Sequence, residues 1–296
     1  MPPLTVQNSV NLRPPIALSV ETLLIDFHTH STASDGALTP AELLRRAHAR
    51  GVSALAVTDH DTVSGCLEAM AEPMADLQLV SGLELSCRWG GTTIHIVGLG
   101  IDPAQQGLTA LLASLDRLRE DRAGKIAEKL DRLGMSGALA GARGLAGSGS
   151  ICRPHFANWL VSEGHAETAG VAFDKWLGNG KPADSKTQWP DLVTSVTAIT
   201  AAGGLPVLAH PLKYRFTRTK LRALCSDFGA AGGIAVEIVN GRQTSTEIAA
   251  LSRLAQEMDL AVSIGSDFHR DWPYGADLGV DTSVTRGLPA VWEMLL

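Results

Sequence analysis

Short apolar runs alternate with amphipathic helical stretches along this sequence, over residues 22–100 and again from about residue 190 onward. "TLLIDFH", "SALAVTDHD", "LQLVSGLELS" and "TTIHIVGLG" read as strands in the first block, and "LPVLAHP", "GIAVEIVN" and "LAVSIGSDFH" in the second. The helices between them carry legible ends. In "LTPAELLRRAHARG", Thr39 is placed to cap, Pro40 suits the first helical position, Glu42 completes a capping box and Gly51 ends the helix. Alternating β and α elements predict a parallel sheet. Six or seven strands favour a closed or nearly closed α/β barrel over an open sheet. No G-x-G-x-x-G follows a strand, which weighs against dinucleotide binding.

The alternation stops between residues 101 and 189. "QQGLTALLASLDRLREDRAGKIAEKLDRLG" is one long amphipathic helix, with Leu108, Leu111, Leu112, Leu115, Leu118 and Arg119 at helical spacing. A small-residue tract, "SGALAGARGLAGSGS", precedes a second helical stretch, "RPHFANWLVSEG". The reading is a barrel built from residues 22–100 and 190–296, a mostly helical insertion at 101–189 roofing its mouth, and a proline-rich flexible leader at 1–21.

The polar residues fall in a pattern that independent core positions would not produce. H-x-H (His28, His30) closes the first strand, D-H-D surrounds His60 at the second, Glu84 stands in the third, His95 in the fourth, and S-D-x-H (Asp267, His269) closes the last. Period-2 geometry puts His28 and His30 on one face, together with Asp26, and pairs Asp267 with His269. In α/β barrels the C-terminal strand ends form the active site, so these residues converge on one rim. A cluster of imidazoles and carboxylates there is a metal site. His48, inside a helix, and His165, in the insertion, read as ordinary structural histidines. Trp159 and Trp176 read as insertion core.

Bulk properties limit the partners. The net charge of −6 and pI near 5.8 advertise no large nucleic-acid or membrane surface, and no apolar run approaches a membrane span. A duplex-DNA surface is not expected. Cys66, Cys87, Cys152 and Cys225 form no C-x-x-C, which fits reduced thiols in a cytoplasmic protein.

The motifs "DFHTHSTASDG", "VTDHDT", "GLELS", "IHIVGLG", "RPHFA", "LAHP" and "GSDFH" closely resemble the polymerase and histidinol phosphatase (PHP) superfamily, in family order over residues 24–270. "HSTASDG", "RPHFA" and "LGNGKPA" are similar to its TrpH/YciV-type subgroup, which is associated with 3′,5′-nucleotide bisphosphate phosphatase and 5′→3′ oligoribonucleotide exonuclease activity. The resemblance implies a distorted (β/α)7 TIM-like barrel with two to three divalent ions, Mn²⁺ foremost and Zn²⁺ or Fe²⁺ as substitutes. It implies His28, His30, Glu84 and Asp267 around one metal; Glu84, His95 and His155 around a second; and Asp35, His60 and His269 around a third. Asp35 departs from the His that many relatives carry, giving the third site a harder donor.

Imidazole and carboxylate donors suit these metals, and a bridged water of lowered pKa would serve as the nucleophile. Two roles fit His210, in "LAHP": a substrate contact or general acid, or a group orienting a ligand. Arg153 and Lys181 are the expected phosphate contacts, with Arg119 and Arg122 as weaker candidates; Glu237 is structural or lines the pocket. The expected activity is removal of the 3′-phosphate from a small nucleotide, with trimming of short single-stranded RNA. The alternatives are a histidinol-phosphate or sugar-phosphate phosphatase, and a PHP-like module that only binds.

Overall fold

The computed structural model describes residues 23–271, 275–285 and 287–296; the leader expected at 1–21 lies outside them. The strands are β1 (Leu24–Asp26), β2 (Ala54–Val57), β3 (Gln78–Trp89), β4 (Thr92–Leu99), β5 (Leu205–Leu208), β6 (Ala235–Asn240), β7 (Ala261–Gly265) and the short β8 (Val280–Asp281). They form one sheet in the order β7-β6-β5-β4-β3-β2-β1-β8. The sheet curls until β1 and β7 meet. Phe27 N–H donates to Ile264 O, Asp267 N–H to His28 O and His30 N–H to Phe268 O, at 3.2, 2.8 and 2.9 Å. Below this seam the strands splay. β8 pairs antiparallel with Leu24 and Ile25, and the following chain bonds to Val262 through Pro289 and Val291. Gly265 is required at the seam, because a Cβ there would stand 2.5 Å from the His28 Cβ.

Besides the short β8, β4 departs from the all-parallel expectation. β3 and β4 form a long antiparallel hairpin pairing Gly82 to Trp89 with Leu99 to Thr92, and β4 is also antiparallel to β5. The hairpin turns through Gly90 and Gly91, both with positive φ. Since β4 runs backwards, its beginning lies at the rim where its neighbours end, and this carries His95 to the site.

Helices pack around the sheet. α1 (Pro40–Ala49) has the expected capping box, with Thr39 and Glu42 each bonding the other's backbone, and it buries Leu43, Leu44 and Ala47. α2 (Ser64–Ala71) follows β2. α7 (Leu192–Ala201), α8 (Arg218–Ala230) and α9 (Ser245–Glu257) bury Ile199, Phe228 and Leu251 in the main core. α10 (Trp292–Leu295) ends the chain.

The long helix α3 (Gln106–Arg132) serves two cores. Leu108, Leu112 and Leu115 join the barrel core, whereas Ala123, Ile126 and Leu130 join a second cluster with Phe156, Trp159 and Leu160. The second cluster is completed by α4 (Ala138–Ala146), α5 (Arg153–Ser162) and α6 (Ala169–Ala172), which runs into a wider helical turn at Phe173–Leu177. Trp176 packs on its edge. Alanine and glycine dominate α4, which is why its helix was not legible; the small residues let the helix approach Trp159 closely.

Candidate metal centre

Strand ends deliver the polar side chains to one rim. His28 and His30 follow β1, His60 follows β2, and His60 bridges to Glu84 in β3. His210 lies two residues past β5, and Asp267 and His269 follow β7. His28, His30, Asp35, Glu84 and His210 are buried.

The donors form three overlapping groups. His28 Nε2 lies 3.4 Å from Glu84 Oε2 and 3.6 Å from Asp267 Oδ1; His30 Nε2 lies 3.3 and 3.4 Å from the same two oxygens. In the second group, Glu84 Oε1 stands 3.0 Å from His95 Nδ1 and 2.8 Å from His210 Nε2, and the two ring nitrogens are 3.3 Å apart. Asp35 Oδ1 anchors the third, 3.4 Å from His269 Nε2 and 3.9 Å from His60 Nε2. Atoms held about 2.1 Å from one ion in tetrahedral array stand about 3.4 Å apart, which matches the spacing in the first group. Glu84 presents one oxygen to each of the first two groups.

His155 is not brought into the cluster, and His210 stands in the second group instead. His155 occupies the first turn of α5, where its Nδ1 accepts the Cys152 N–H at 3.0 Å, and its ring faces the Ser34 backbone. The "RPH" histidine thus acts as a reciprocal helix cap. The antiparallel β4 explains the exchange. Its register sets Ile96 against Leu208, and Ala209 N–H donates to His95 O, so His210 falls beside His95. His210 pays for this with an unusual backbone, φ 29°. Its Nε2 faces Glu84, which disfavours the general-acid role.

Several buried groups orient the donors. Glu237 Oε1 meets His28 Nδ1 at 2.9 Å, and its Oε2 accepts the His210 N–H at 2.7 Å, so one carboxylate from β6 aims a histidine of each of the first two groups. Asp59 accepts from Ser31 and Ser34, fixing the turn that presents Asp35. Asp26 holds the seam, accepting from Ser266 and Gly279 N–H; burial pushes its carboxyl up to about 6 despite those bonds.

Burial opposes charge throughout the cluster, and the partners decide each outcome. For His30, the neighbouring Asp267 and Glu84 carboxylates outweigh burial and raise it to about 9. His28 is also raised, by Glu237, Glu84 and Asp267 against burial. For His60 burial wins, pushing it down to about 4. Glu84 and Asp267 are held well below the carboxylate range, against burial, by the surrounding histidines and, for Asp267, Lys213. Lys213, unforeseen in the sequence, sits three residues beyond His210 and pairs with Asp267.

A cavity of about 790 Å³ opens over the cluster, and its far wall carries Arg119, Arg122, Arg153 and Trp189. Arg119 is buried and committed: it donates to Asp61 at 2.8 Å and to Ser86, tying α3 to the ends of β2 and β3. Arg122 differs. Its Nε is buried without a hydrogen-bond partner. Burial, with Arg153 and Arg119 nearby, pushes its guanidinium down to about 9. Arg153 lines the cavity as expected. Lys181 does not: it lies exposed on a turn closed by its own N–H to Gly178 O and by Gly180 N–H to Asp184, while Lys186 reaches the cavity edge.

The cluster fits metal ions. His28 Nε2, His30 Nε2, His60 Nδ1 and Glu84 Oε2 are buried with no hydrogen-bond partner, a cost that protein interiors avoid unless another ligand completes the site. A TIM-like barrel whose strand-end rim carries such a nest is the scaffold of a metal-dependent hydrolase. Sequence and structure comparisons narrow that class. Residues 26–133 match the PHP domain family. A 5′-3′ exoribonuclease of Haemophilus influenzae is 44% identical over 90% of this chain and 97% of its own. A 3′,5′-nucleoside bisphosphate phosphatase of Chromobacterium violaceum is 39% identical over 92% of this chain and 96% of its own. The solved structure of an amidohydrolase from Chromobacterium violaceum, with sulfate bound and no metal, has a TM-score of 0.85 at 38% identity, covering 92% of this chain and 95% of that one.

This chain belongs to the PHP family. It is an enzyme of the family's metal-dependent phosphoesterase class. Among the described residues no helix is long and apolar enough to cross a membrane.

Proposed function

We propose that this enzyme hydrolyses the 3′-phosphate of 3′,5′-nucleotide bisphosphates, yielding the 5′-monophosphate and phosphate, and also trims short single-stranded RNA in the 5′→3′ direction. Relatives matched almost end to end carry names for these two activities. The observation that carries the reading is the pairing of two anion-seeking regions in one cavity: the donor cluster, and Arg122, its buried Nε without a partner among the described residues, beside Arg153 across from it. A substrate with two phosphates answers both. Arg guanidinium suits the second phosphate because its planar fork matches phosphate oxygens.

Two to three divalent ions, Mn²⁺ foremost, would be held by His28, His30, Glu84 and Asp267; by Glu84, His95 and His210; and by Asp35, His60 and His269. When bound they supply a water acidic enough to act near neutral pH and charge to stabilise the pentavalent phosphorus. The chain's own residues do the rest. Glu237 keeps His28 and His210 aimed, Lys213 lies beside Asp267 where a non-bridging oxygen can accept from its ammonium, and Arg122 and Arg153 hold the distal phosphate. The insertion at 101–189 roofs the mouth and limits substrate size. Four buried free thiols support a cytoplasmic location.

The test is phosphate release from an adenosine 3′,5′-bisphosphate, a 3′-monophosphate, a 5′-monophosphate and histidinol phosphate, with Mn²⁺ supplied. The bisphosphate should be the best substrate by kcat/KM. Preference for histidinol phosphate, or no nucleotide turnover, overturns the reading.

A further inference from the structure

A second cavity, of about 460 Å³, lies on the other side of the metal rim. It shares Pro154, Phe173, Lys213, Asp267 and His269 with the larger one, so the two are lobes that meet over the donor cluster. Their walls differ. The larger lobe ends on the α3 guanidiniums. The smaller runs between the insertion, at Asn158 and Gly170, and the barrel loop after β6, at Asn240 and Arg242. Arg270 helps form its wall, anchored at 3.1 Å to Asp35 O and at 3.5 Å to Asn158 Oδ1.

Resting on the proposed phosphoesterase reading, we infer that this smaller lobe is the binding site for the nucleotide downstream of the scissile bond in a single-stranded RNA. The chemistry requires such a space. In a bisphosphate the reacting phosphorus carries only terminal oxygens besides the 3′ oxygen. In RNA it carries one more substituent, the 5′ oxygen of the next nucleotide. Water oxygen adds to phosphorus, the bond from phosphorus to the 3′ oxygen breaks, and a water proton ends on that oxygen. The first nucleotide leaves with a 3′-hydroxyl, and the remaining chain keeps the phosphate. If the first nucleotide's 5′-phosphate lies on Arg122 and Arg153, the next nucleotide must depart over the opposite side of the rim. The Phe173 ring, the Arg242 and Arg270 guanidiniums and the amide groups of Asn158 and Asn240 all line the lobe, and these are the side-chain types that stack on and hold an unpaired base. The volume is within the range of small-ligand sites.

Gly170 gives a clean test. A Cβ there meets nothing closer than the Thr168 hydroxyl at 3.7 Å, so Gly170→Trp can fill the lobe without disturbing the backbone. The assay compares a 5′-phosphorylated tetraribonucleotide with adenosine 3′,5′-bisphosphate on the Mn²⁺-loaded full chain. Gly170→Trp should lower kcat/KM on the RNA by about ten- to a hundredfold, the worth of one stacked base, and leave the bisphosphate within about twofold. Arg242→Glu, at an exposed position, should lower RNA turnover less, with the deficit shrinking as salt rises. Equal losses on both substrates would assign the lobe to the first nucleotide, and unchanged RNA turnover in both variants would leave it without a nucleotide; either overturns the inference. Wild-type inactivity on the bisphosphate is the separate failure of the underlying reading.

Discussion

The two walls of the large cavity are built by different rules. On the barrel wall, donors come from six strands or their ends and crowd so closely that Glu84 alone reaches five histidine rings within 3.4 Å. On the insertion wall, one helix and the start of another supply guanidiniums, of which Arg119 is neutralised by Asp61 and Arg122 pairs with no carboxylate among the described residues. On the barrel wall the donors sit in or just beyond strands, apart from Asp35 on its turn, and the orienting Glu237 and Asp26 are strand residues too. The insertion wall stands where two apolar clusters meet: α3 joins the barrel core through Leu108, Leu112 and Leu115 and the insertion core through Ala123, Ile126 and Leu130. The difference suits the proposed division of roles, in which the barrel would supply the chemistry and the insertion would select what reaches it.

The most forceful way to break this division is Glu84→Gln. It removes the carboxylate shared by two donor groups, and turnover should fall by more than about a thousandfold, with metal content by elemental analysis falling in parallel. Metal content that stays intact would deny Glu84 its shared role. Arg122→Met probes the opposite wall. It should raise KM for the bisphosphate by about tenfold or more, the loss of a charged hydrogen bond, while metal content and turnover of a 3′-monophosphate stay near wild type. Equal damage to both substrates would collapse the distinction.

Titration sharpens the comparison further. In the metal-free protein His30 is raised to about 9 from 6.5. A raised folded value means its charged form stabilises the metal-free fold fully below about pH 6.5, and that contribution is lost as pH climbs through about 9. A ligand must be deprotonated, so metal loading near pH 7.5 should release protons, and metal affinity should rise with pH over the same window. Calorimetry in buffers of different ionisation enthalpy reads the protons; heats independent of the buffer would contradict the assignment. The smallest effect belongs to His155→Ala. Losing its cap on α5 should cost about 1 kcal/mol of stability, seen as a modest drop in Tm, with metal content unchanged.

The sequence made the barrel wall readable because period-2 alternation and strand ends are local signals. H-x-H, D-H-D and S-D-x-H each announce a rim position before any contact is known. Which histidine completes the second group was not readable, since that depends on β4 running antiparallel and setting His95 beside His210, a matter of long-range register. "RPH" looked like a ligand but is a helix start. Arg122 ranked only as a weaker candidate for a related reason: on a helix pattern it looks like any solvated cation, and only the packing of Trp189 and Arg153 around it removes its water. Lys181, conversely, had a suggestive glycine-rich setting and proves to be an exposed turn residue.

We propose that the barrel rim alone holds the metals, with Glu84 shared and His210 in place of His155. A crystal of the Mn²⁺-soaked protein, measured for anomalous scattering at the manganese edge, tests it directly. The account predicts anomalous peaks flanking Glu84, one bounded by His28, His30 and Asp267 and one by His95 and His210, with His155 still bonded to the Cys152 N–H. A peak ligated by His155, or no peak beside Glu84, would contradict it.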